Sequence, residues 1–431
     1  MLGRLNAFQL SMLQWNDLHP YNAVHVVRIP GALEFERLKN VITMTLEGKG
    51  LTGLVLDRRA GTYQYHGGPA YAEIKLVGAD AASSPGFAEE VERQLNAPFA
   101  HDHRFSPFRF MVVAEEDAFS LGLVYFHPIA DAESIVFLLK DMVEAYRGRG
   151  NPGPATPVER YPARRDNLLR SHPGVLVRKL ATLPSSFRTM RSTCRPHYRD
   201  AGDLSNKFTF FSPSPQALSD MLQAAKSLNV TLNDLFLALL LKAVSSVAPD
   251  RAQAGRRRNL SLGCIVNTRR DLGMAGGRDF GLFLGSFVVH HEVPPGIKPA
   301  DLARDIGRQT RAIKQRRLYL GVALELTFGR LMVSWFSEAR RRRLYQKHYP
   351  LWGGLTNMNL NTLWPQSDDV RPVDYFRAVS TGPITPLVAS ITTVGQVVNI
   401  GLTYRSTVLG APDIERIKTS FLAPGGSPAC P

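Results

Sequence analysis

Cysteine is scarce, with three residues (Cys194, Cys264 and Cys430) in a chain of 431. Their spacing is neither paired nor metal-like, which excludes a disulfide-stapled scaffold and points to a reducing compartment. Long hydrophobic runs are missing too. The most apolar stretch, "LFLALLLKAV" at 235–244, is too short to span a bilayer and carries Lys242. The first residues, "MLGRLNAFQLSMLQWNDLHPYN", have no continuous apolar segment or small-residue cleavage site, so they make a poor secretory signal. A cytoplasmic location is therefore expected. No zinc-finger spacing, RNP-like aromatic motif or G-x-G-x-x-G occurs, and nucleic acid is not the expected partner. No G-x-S-x-G elbow is present for a serine hydrolase. No repeat recurs at a fixed period. His101 and His103 in "HDH" lack a third ligand nearby, so no metal is expected.

Acidic residues are the other deficit: 37 Asp and Glu against 52 Lys and Arg leave a formal charge of +15. Such a balance suits an anionic partner, whether an anionic membrane or a phosphate-bearing cofactor or carrier. The basic residues are dispersed apart from "RRR" at 256–258 and "RRRR" at 340–343, which read as solvated surface loops. With 44% hydrophobic and 21% charged residues, the composition is that of a globular protein, and the length suits two domains.

The first part of the chain alternates strand and helix. "AVHVVRI" (23–29) reads as a strand, "EFERLKNVITMTL" as a helix, "GLVLD" and "TYQYH" as strands, and "SPGFAEEVERQLNAPF" as a helix. "FRFMVVA" (108–114) and "AFSLGLVYF" (118–126) form a hairpin across the turn "EED". Ile135, Leu138, Leu139, Met142, Val143 and Tyr146 then recur at helical spacing. These boundaries give an N-terminal lobe over 1–150. Residues 151–205 form a basic connector rich in Pro, Gly and Arg, with one helix inside it, and 206–431 a C-terminal lobe. The second lobe opens with the strand "KFTFFS" and two helices, the later one started by a box-like Thr231 and Asp234. It continues with the strand "NLSLGCIVN" and ends with a hairpin turning at "VGQ".

The stretch "YFHPIADAESI" at 125–135 carries the chemistry. A buried strand ends in His127, Asp131 follows four positions later, and helical periodicity begins behind it. An imidazole at a strand end can take a proton from a hydroxyl or amine as that group attacks a carbonyl. Asp131 is better read as the loop's anchor than as a relay to the histidine. H-x-x-x-D alone is a weak signal; "FHPIADA" with its surroundings is stronger.

On these residues the chain resembles the thioester-dependent acyltransferase superfamily with a chloramphenicol-acetyltransferase-like fold. Its members include nonribosomal-peptide condensation domains, polyketide-associated and wax-ester-type acyltransferases and the plant BAHD enzymes. "FHPIADA" matches the H-x-x-x-D signature, with His127 in the general-base position and Asp131 in the structural one. "VNTRR" at 266–270 is similar to the family's "VNxR" element, which sets Arg269 opposite Asp131. "DFGLFLG" (279–285) and "TNMNL" (356–360) match more loosely. The family's first histidine is replaced by Phe126 and its glycine by Ala132, while Pro128 stiffens the loop; Pro128 and Ala132 would border the substrate channel. A second "HH", at His290–His291, has Pro295 where the motif wants aspartate and reads as a strand end. The H-x-x-x-x-D spacing of glycerolipid acyltransferases does not fit.

The resemblance implies an α/β (α+β two-layer) fold of two lobes, with mixed sheets flanked by helices and an active-site channel between them. It implies acyl transfer from a coenzyme A or carrier-protein thioester to an alcohol or amine in a ternary complex, with no permanently bound cofactor. His127 is the base, and Asn357 and Thr393 are candidates for oxyanion or substrate contacts. Partners would be acyl-CoA or acyl-carrier protein and the acceptor, with the chain acting as a monomer. Two alternatives stand beside this reading: a stand-alone condensation or chain-release enzyme of a nonribosomal-peptide or polyketide pathway, and a catalytically silent binding protein. The basic connector "RKLATLPSSFRTMRSTCRPHYR" would make at most a weak anionic-membrane contact, as a peripheral protein does, because Pro184 and Pro196 limit any long amphipathic helix.

Overall fold

The computed structural model describes residues 2–70, 72–77, 84–148, 173–249, 251, 255–274, 278–365 and 371–422. Along the first lobe run β1 (Leu2–Arg4), α1 (Ala7–Asn16), β2 (Asn22–Pro30), α2 (Phe35–Gly48), β3 (Leu54–Asp57), β4 (Thr62–Tyr65), β5 (Glu73–Val77), α3 (Ser84–Asn96), β6 (Phe108–Ala114), β7 (Ala118–Phe126) and α4 (Ala132–Tyr146). Then follow α5 (Pro173–Ser192), β8 (Lys207–Phe211), α6 (Pro215–Ser227), α7 (Leu232–Val247), β9 (Leu260–Asn267), β10 (Leu284–His291), α8 (Pro299–Gln315), α9 (Val322–Ser334) and α10 (Glu338–His348). The chain closes with β11 (Gly353–Asn359), β12 (Asp374–Val379), β13 (Leu387–Val394), β14 (Val397–Tyr404) and α11 (Ala411–Leu422).

Two mixed sheets carry the lobes, ordered β12-β2-β7-β6-β5 and β10-β9-β11-β13-β14-β8, with a small β1-β4-β3 sheet beside the first. The expected hairpin of β6 and β7 is present, and β7 also pairs antiparallel with β2 from Asn22↔Phe126 to Pro30↔Ala118. α4 turns its whole apolar stripe, Ile135 to Tyr146, into the first core. In the second lobe α7 is buried on nearly every side and starts with a capping box between Thr231 and Asp234. It is a core helix. Among the described residues no single helix is long and apolar enough to cross a membrane, and α6 and α7 meet at 107°.

One strand ties the halves together. β12, from the 206–431 segment, completes the first sheet by pairing antiparallel with β2, from Asp374↔Arg28 to Val379↔Ala23. Its backbone also lies across β14. A Cβ on Gly401 would sit 2.2 Å from the Arg377 carbonyl oxygen, so only glycine lets the two sheets approach this closely.

Two expectations need correcting. α5 runs 20 residues straight through Pro184 rather than being cut short by it. A proline inside a helix forfeits one backbone hydrogen bond. Packing offsets that loss, because Val175 enters the second core and Lys179 pairs with Glu325 of α9 at 2.6 Å. The "RRRR" run is helical, not a loop, and forms the middle of α10. Residues 149–172 of the connector lie outside the described residues.

Candidate active site

β7 is buried along its length and delivers His127 into one turn of 3-10 helix, His127–Ile129. Several bonds fix that turn. The His127 N–H donates to Tyr21 O at 3.2 Å, and Gln9 Nε2 donates to Pro128 O at 2.9 Å. The imidazole stacks on Tyr21 (centroids 5.5 Å, 14° between planes) and meets the edge of Tyr125 at 5.5 Å. Its Nδ1 lies 3.2 Å from Ala130 O. A carbonyl only accepts, so Nδ1 carries the hydrogen and Nε2 keeps a bare lone pair. Nε2 has no hydrogen-bond partner among the described residues, and the residue is 7% exposed. Burial pushes the imidazole pKa down to about 4, outweighing the raising effects of the Ala130 carbonyl and Asp131. The ring is neutral at pH 7, as a general base must be before reaction.

Asp131 does not touch His127. It caps α4, accepting from the Ser134 N–H at 2.9 Å, and its other contacts come from the second lobe. Arg269 donates from Nη1 to Oδ2 at 2.6 Å and from Nη2 to Oδ1 at 3.0 Å, and the Phe283 N–H donates to Oδ2 at 3.0 Å. The Asp131 N–H in turn donates to Gly281 O at 2.9 Å. Arg269 is only 3% exposed, lies over the Phe283 ring at 4.2 Å, and also donates to Ser134 Oγ at 2.8 Å. This buried fork joins the loop behind His127 to the second lobe. Pro128 is buried in the turn, and Ala132 is the half-buried first residue of α4.

Asn357 and Thr393 are not brought to His127. Side chains alternate along a strand. On β11 and β13, Leu355, Ala389 and Ile391 enter the second core, whereas Met358 and Val394 meet the first. Asn357 and Thr393 share the parity of Leu355 and Ile391, so they stand on the face turned from the first lobe. Asn357 is exposed there.

A polar stripe with no sequence signature occupies the face of the first sheet that meets the second. Arg377 of β12 is the cross-strand partner of His25 on β2, and Tyr375 and Tyr125 share that face. His25 Nδ1 and Tyr375 Oη share a hydrogen bond of 2.6 Å. Arg377, 1% exposed, donates from Nε to Thr392 Oγ1 at 2.8 Å and from Nη2 to Ile391 O at 2.6 Å. It has no carboxylate partner among the described residues, and burial lowers its pKa to about 10. Burial also depresses His25 well below the ordinary imidazole value, with the Arg377 charge adding to it. Tyr125 Oη and His25 Nε2 are sealed without a hydrogen-bond partner among the described residues. A strand-register assignment was needed to find this group, because each member sits singly in an apolar strand.

No family model matches this chain, and no curated protein matches it. Solved structures do. The condensation domain of the monacolin K polyketide synthase MokA matches over 98% of this chain and 96% of its own, with TM-score 0.69 and 13% identity. The first condensation domain of the calcium-dependent antibiotic synthetase matches over 100% and 98%, with TM-score 0.65 and 16% identity. Polyketide synthase associated protein 5 from Mycobacterium tuberculosis matches over 98% and 97%, with TM-score 0.62 and 17% identity. The chain has the two-lobed fold of these domains over its whole length.

Proposed function

We propose that this chain is an acyltransferase in which His127 serves as general base, moving an acyl group from a thioester to an alcohol or amine. The observation that carries the reading is the His127 ring itself. It is neutral, held by Ala130 and Tyr21, with Nε2 free of partners among the described residues. An acceptor hydroxyl or amine attacks the thioester carbonyl as Nε2 takes its proton; the new C–O or C–N bond forms and the carbonyl electrons collect on oxygen. That oxyanion collapses, the C–S bond breaks, and the departing thiolate takes the proton back from the imidazolium. The atoms balance without a covalent enzyme intermediate or bound cofactor. Arg377 adds a fixed positive charge to the same sheet face, the kind of preorganised charge that favours a developing anion.

The donor is coenzyme A or a carrier-protein phosphopantetheine. The carrier form, which makes this a condensation or chain-release enzyme, is supported by the near-complete overlap with condensation domains of a polyketide synthase and an antibiotic synthetase. The deciding experiment compares acyl-CoA with acyl-carrier protein as donors, for the parent and for His127→Ala. Removing a general base is expected to cost about 10²- to 10⁴-fold in transfer with an unchanged melting profile. Full turnover in His127→Ala sinks the role given to His127, and no transfer by the parent from either donor leaves a binding protein of this fold.

A further inference from the structure

We propose that α9, with the basic helices α5 and α10 beside it, docks this protein on an anionic lipid surface. This inference is independent of the acyl-transfer reading. α9 is apolar on two sides. Val322 and Val333 are buried, and Leu326 packs against the cluster of Phe8, Met12 and Trp15, so the inner side is occupied. On the outer side Phe328, Leu331, Met332 and Trp335 recur at i, i+3, i+4 and i+7, which aligns them along one helical face. All four are exposed, at 63%, 54%, 49% and 89%. Isolated exposed apolar residues need no explanation, but an aligned stripe of four, two of them aromatic, does.

The charges around the stripe name the occupant. Arg341 folds back, donating from Nε to Val333 O at 3.1 Å and to Phe336 O at 2.9 Å, which pins α10 directly behind Trp335. On α10, Arg340, Arg343 and Lys347 are exposed, and its Glu338 is already engaged by Arg342. At the other end of the stripe Glu325 is taken by Lys179 of α5. α5 carries Arg178, Lys179, Arg188 and Arg191 and no acidic residue, and its Val177 and Leu180 are exposed at 67% and 54%. An apolar stripe ending in tryptophan and flanked by arginines matches the interface of an anionic bilayer. There the rings enter the headgroup level and each guanidinium gains from the negative surface potential. The contact is peripheral, and it moves the membrane reading from the connector sequence to α9.

Trp335 makes the test specific, because Trp15, Trp352 and Trp364 are buried at 4%, 2% and 1%. The full chain is mixed with phosphatidylcholine vesicles, with or without one third phosphatidylglycerol, and followed by co-sedimentation and tryptophan emission. Anionic vesicles at low salt are expected to bind the chain, shift the emission to the blue and shield it from an aqueous quencher. Neutral vesicles should bind at least about tenfold more weakly, as should anionic ones at high salt. F328S/W335S and, separately, R340E/R343E should each weaken binding at least about tenfold while leaving the melting profile and basal transfer unchanged. No binding to anionic vesicles at low salt overturns the proposal. So does binding that survives F328S/W335S, or binding without a change in Trp335 emission. A concentration-dependent dimer abolished by F328S/W335S would assign the stripe to a second copy instead. Loss of transfer from a carrier-protein donor alone, without vesicle binding, would assign it to that protein.

Discussion

Breaking the Asp131–Arg269 pair is the sharpest perturbation of the proposed architecture. Asp131 accepts four hydrogen bonds, one from the start of its own helix and three from the second lobe, with both pair members at most 3% exposed. Asp131→Ala removes the carboxylate and leaves Arg269 buried against the Phe283 ring, Ser134 Oγ, the Asp279 carbonyl and, at 3.6 Å, Glu133. Removing one partner of a buried pair costs about 3–5 kcal/mol, because the uncompensated charge stays inside. The lost N-cap of α4 is worth roughly 1 kcal/mol and lies within that range. Arg269→Met should cost less than Asp131→Ala, because the Ser134 and Phe283 N–H groups still hold the carboxylate. The double variant should lose well under the sum of the singles, with a coupling of about 2–3 kcal/mol. Urea unfolding of all four proteins measures this, provided the slope against denaturant holds constant across the set. Singles that each cost less than about 1 kcal/mol, or that simply add, would refute the view that this fork holds the His127 loop to the second lobe.

Two further outcomes test the interior. The folded His127 pKa of about 4 lies below the ordinary 6.5, so between those values the unfolded chain binds more protons than the folded one. Stability is then fully present above about pH 6.5 and falls by roughly 3 kcal/mol as pH drops towards 4. His25 pushes in the same direction. A pH series of unfolding curves should show the fall, and it should be shallower in His127→Asn; identical pH dependence in the two would contradict the assignment. Gly401→Ala places a methyl 2.2 Å from the Arg377 carbonyl oxygen, whereas a Cβ at Gly354 meets nothing nearer than 3.7 Å. Thermal melts should show a loss of about 1–3 kcal/mol or more at 401 and far less at 354, and equal losses would deny the close approach of β12 and β14.

Local pattern made much of this fold readable. The α4 stripe, the β6–β7 hairpin and the Thr231–Asp234 box depend on residues within a few positions of each other, and each stands as the periodicity implies. α1 is harder to read, because its apolar residues also fit a failed signal segment, and its start is marked only by the capping box of Asn6 and Gln9. β12 could not be found because pairing "DYFRAV" with a strand some 350 residues earlier leaves no local trace. Asn357 and Thr393 were attractive as polar residues near the strand ends, but a face is set by register, and one residue of offset puts a side chain on the wrong side. Pro184 was read by its intrinsic cost, which tertiary contacts of α5 outweigh.

The stripe facing the second lobe bears most directly on mechanism. If the first sheet only had to be joined to the second, aliphatic side chains would do it at lower cost, since buried charges and unpaired polar atoms are penalised unless matched. Instead that face carries Arg377 with four neutral acceptors and, among the described residues, His25 with one unpaired nitrogen and Tyr125 with an unpaired hydroxyl. The charge of Arg377 is not offset by any carboxylate among the described residues. It is strong enough at His127 and His25 to help hold both imidazoles neutral. Burial is what chiefly keeps the His127 base unprotonated at rest, and the Arg377 cation, which adds a little to that, also favours any negative charge that forms beside the base. Under the proposed acyl transfer those two effects serve one step: Nε2 begins free to accept a proton, and the oxyanion appears in a field already set against its cost.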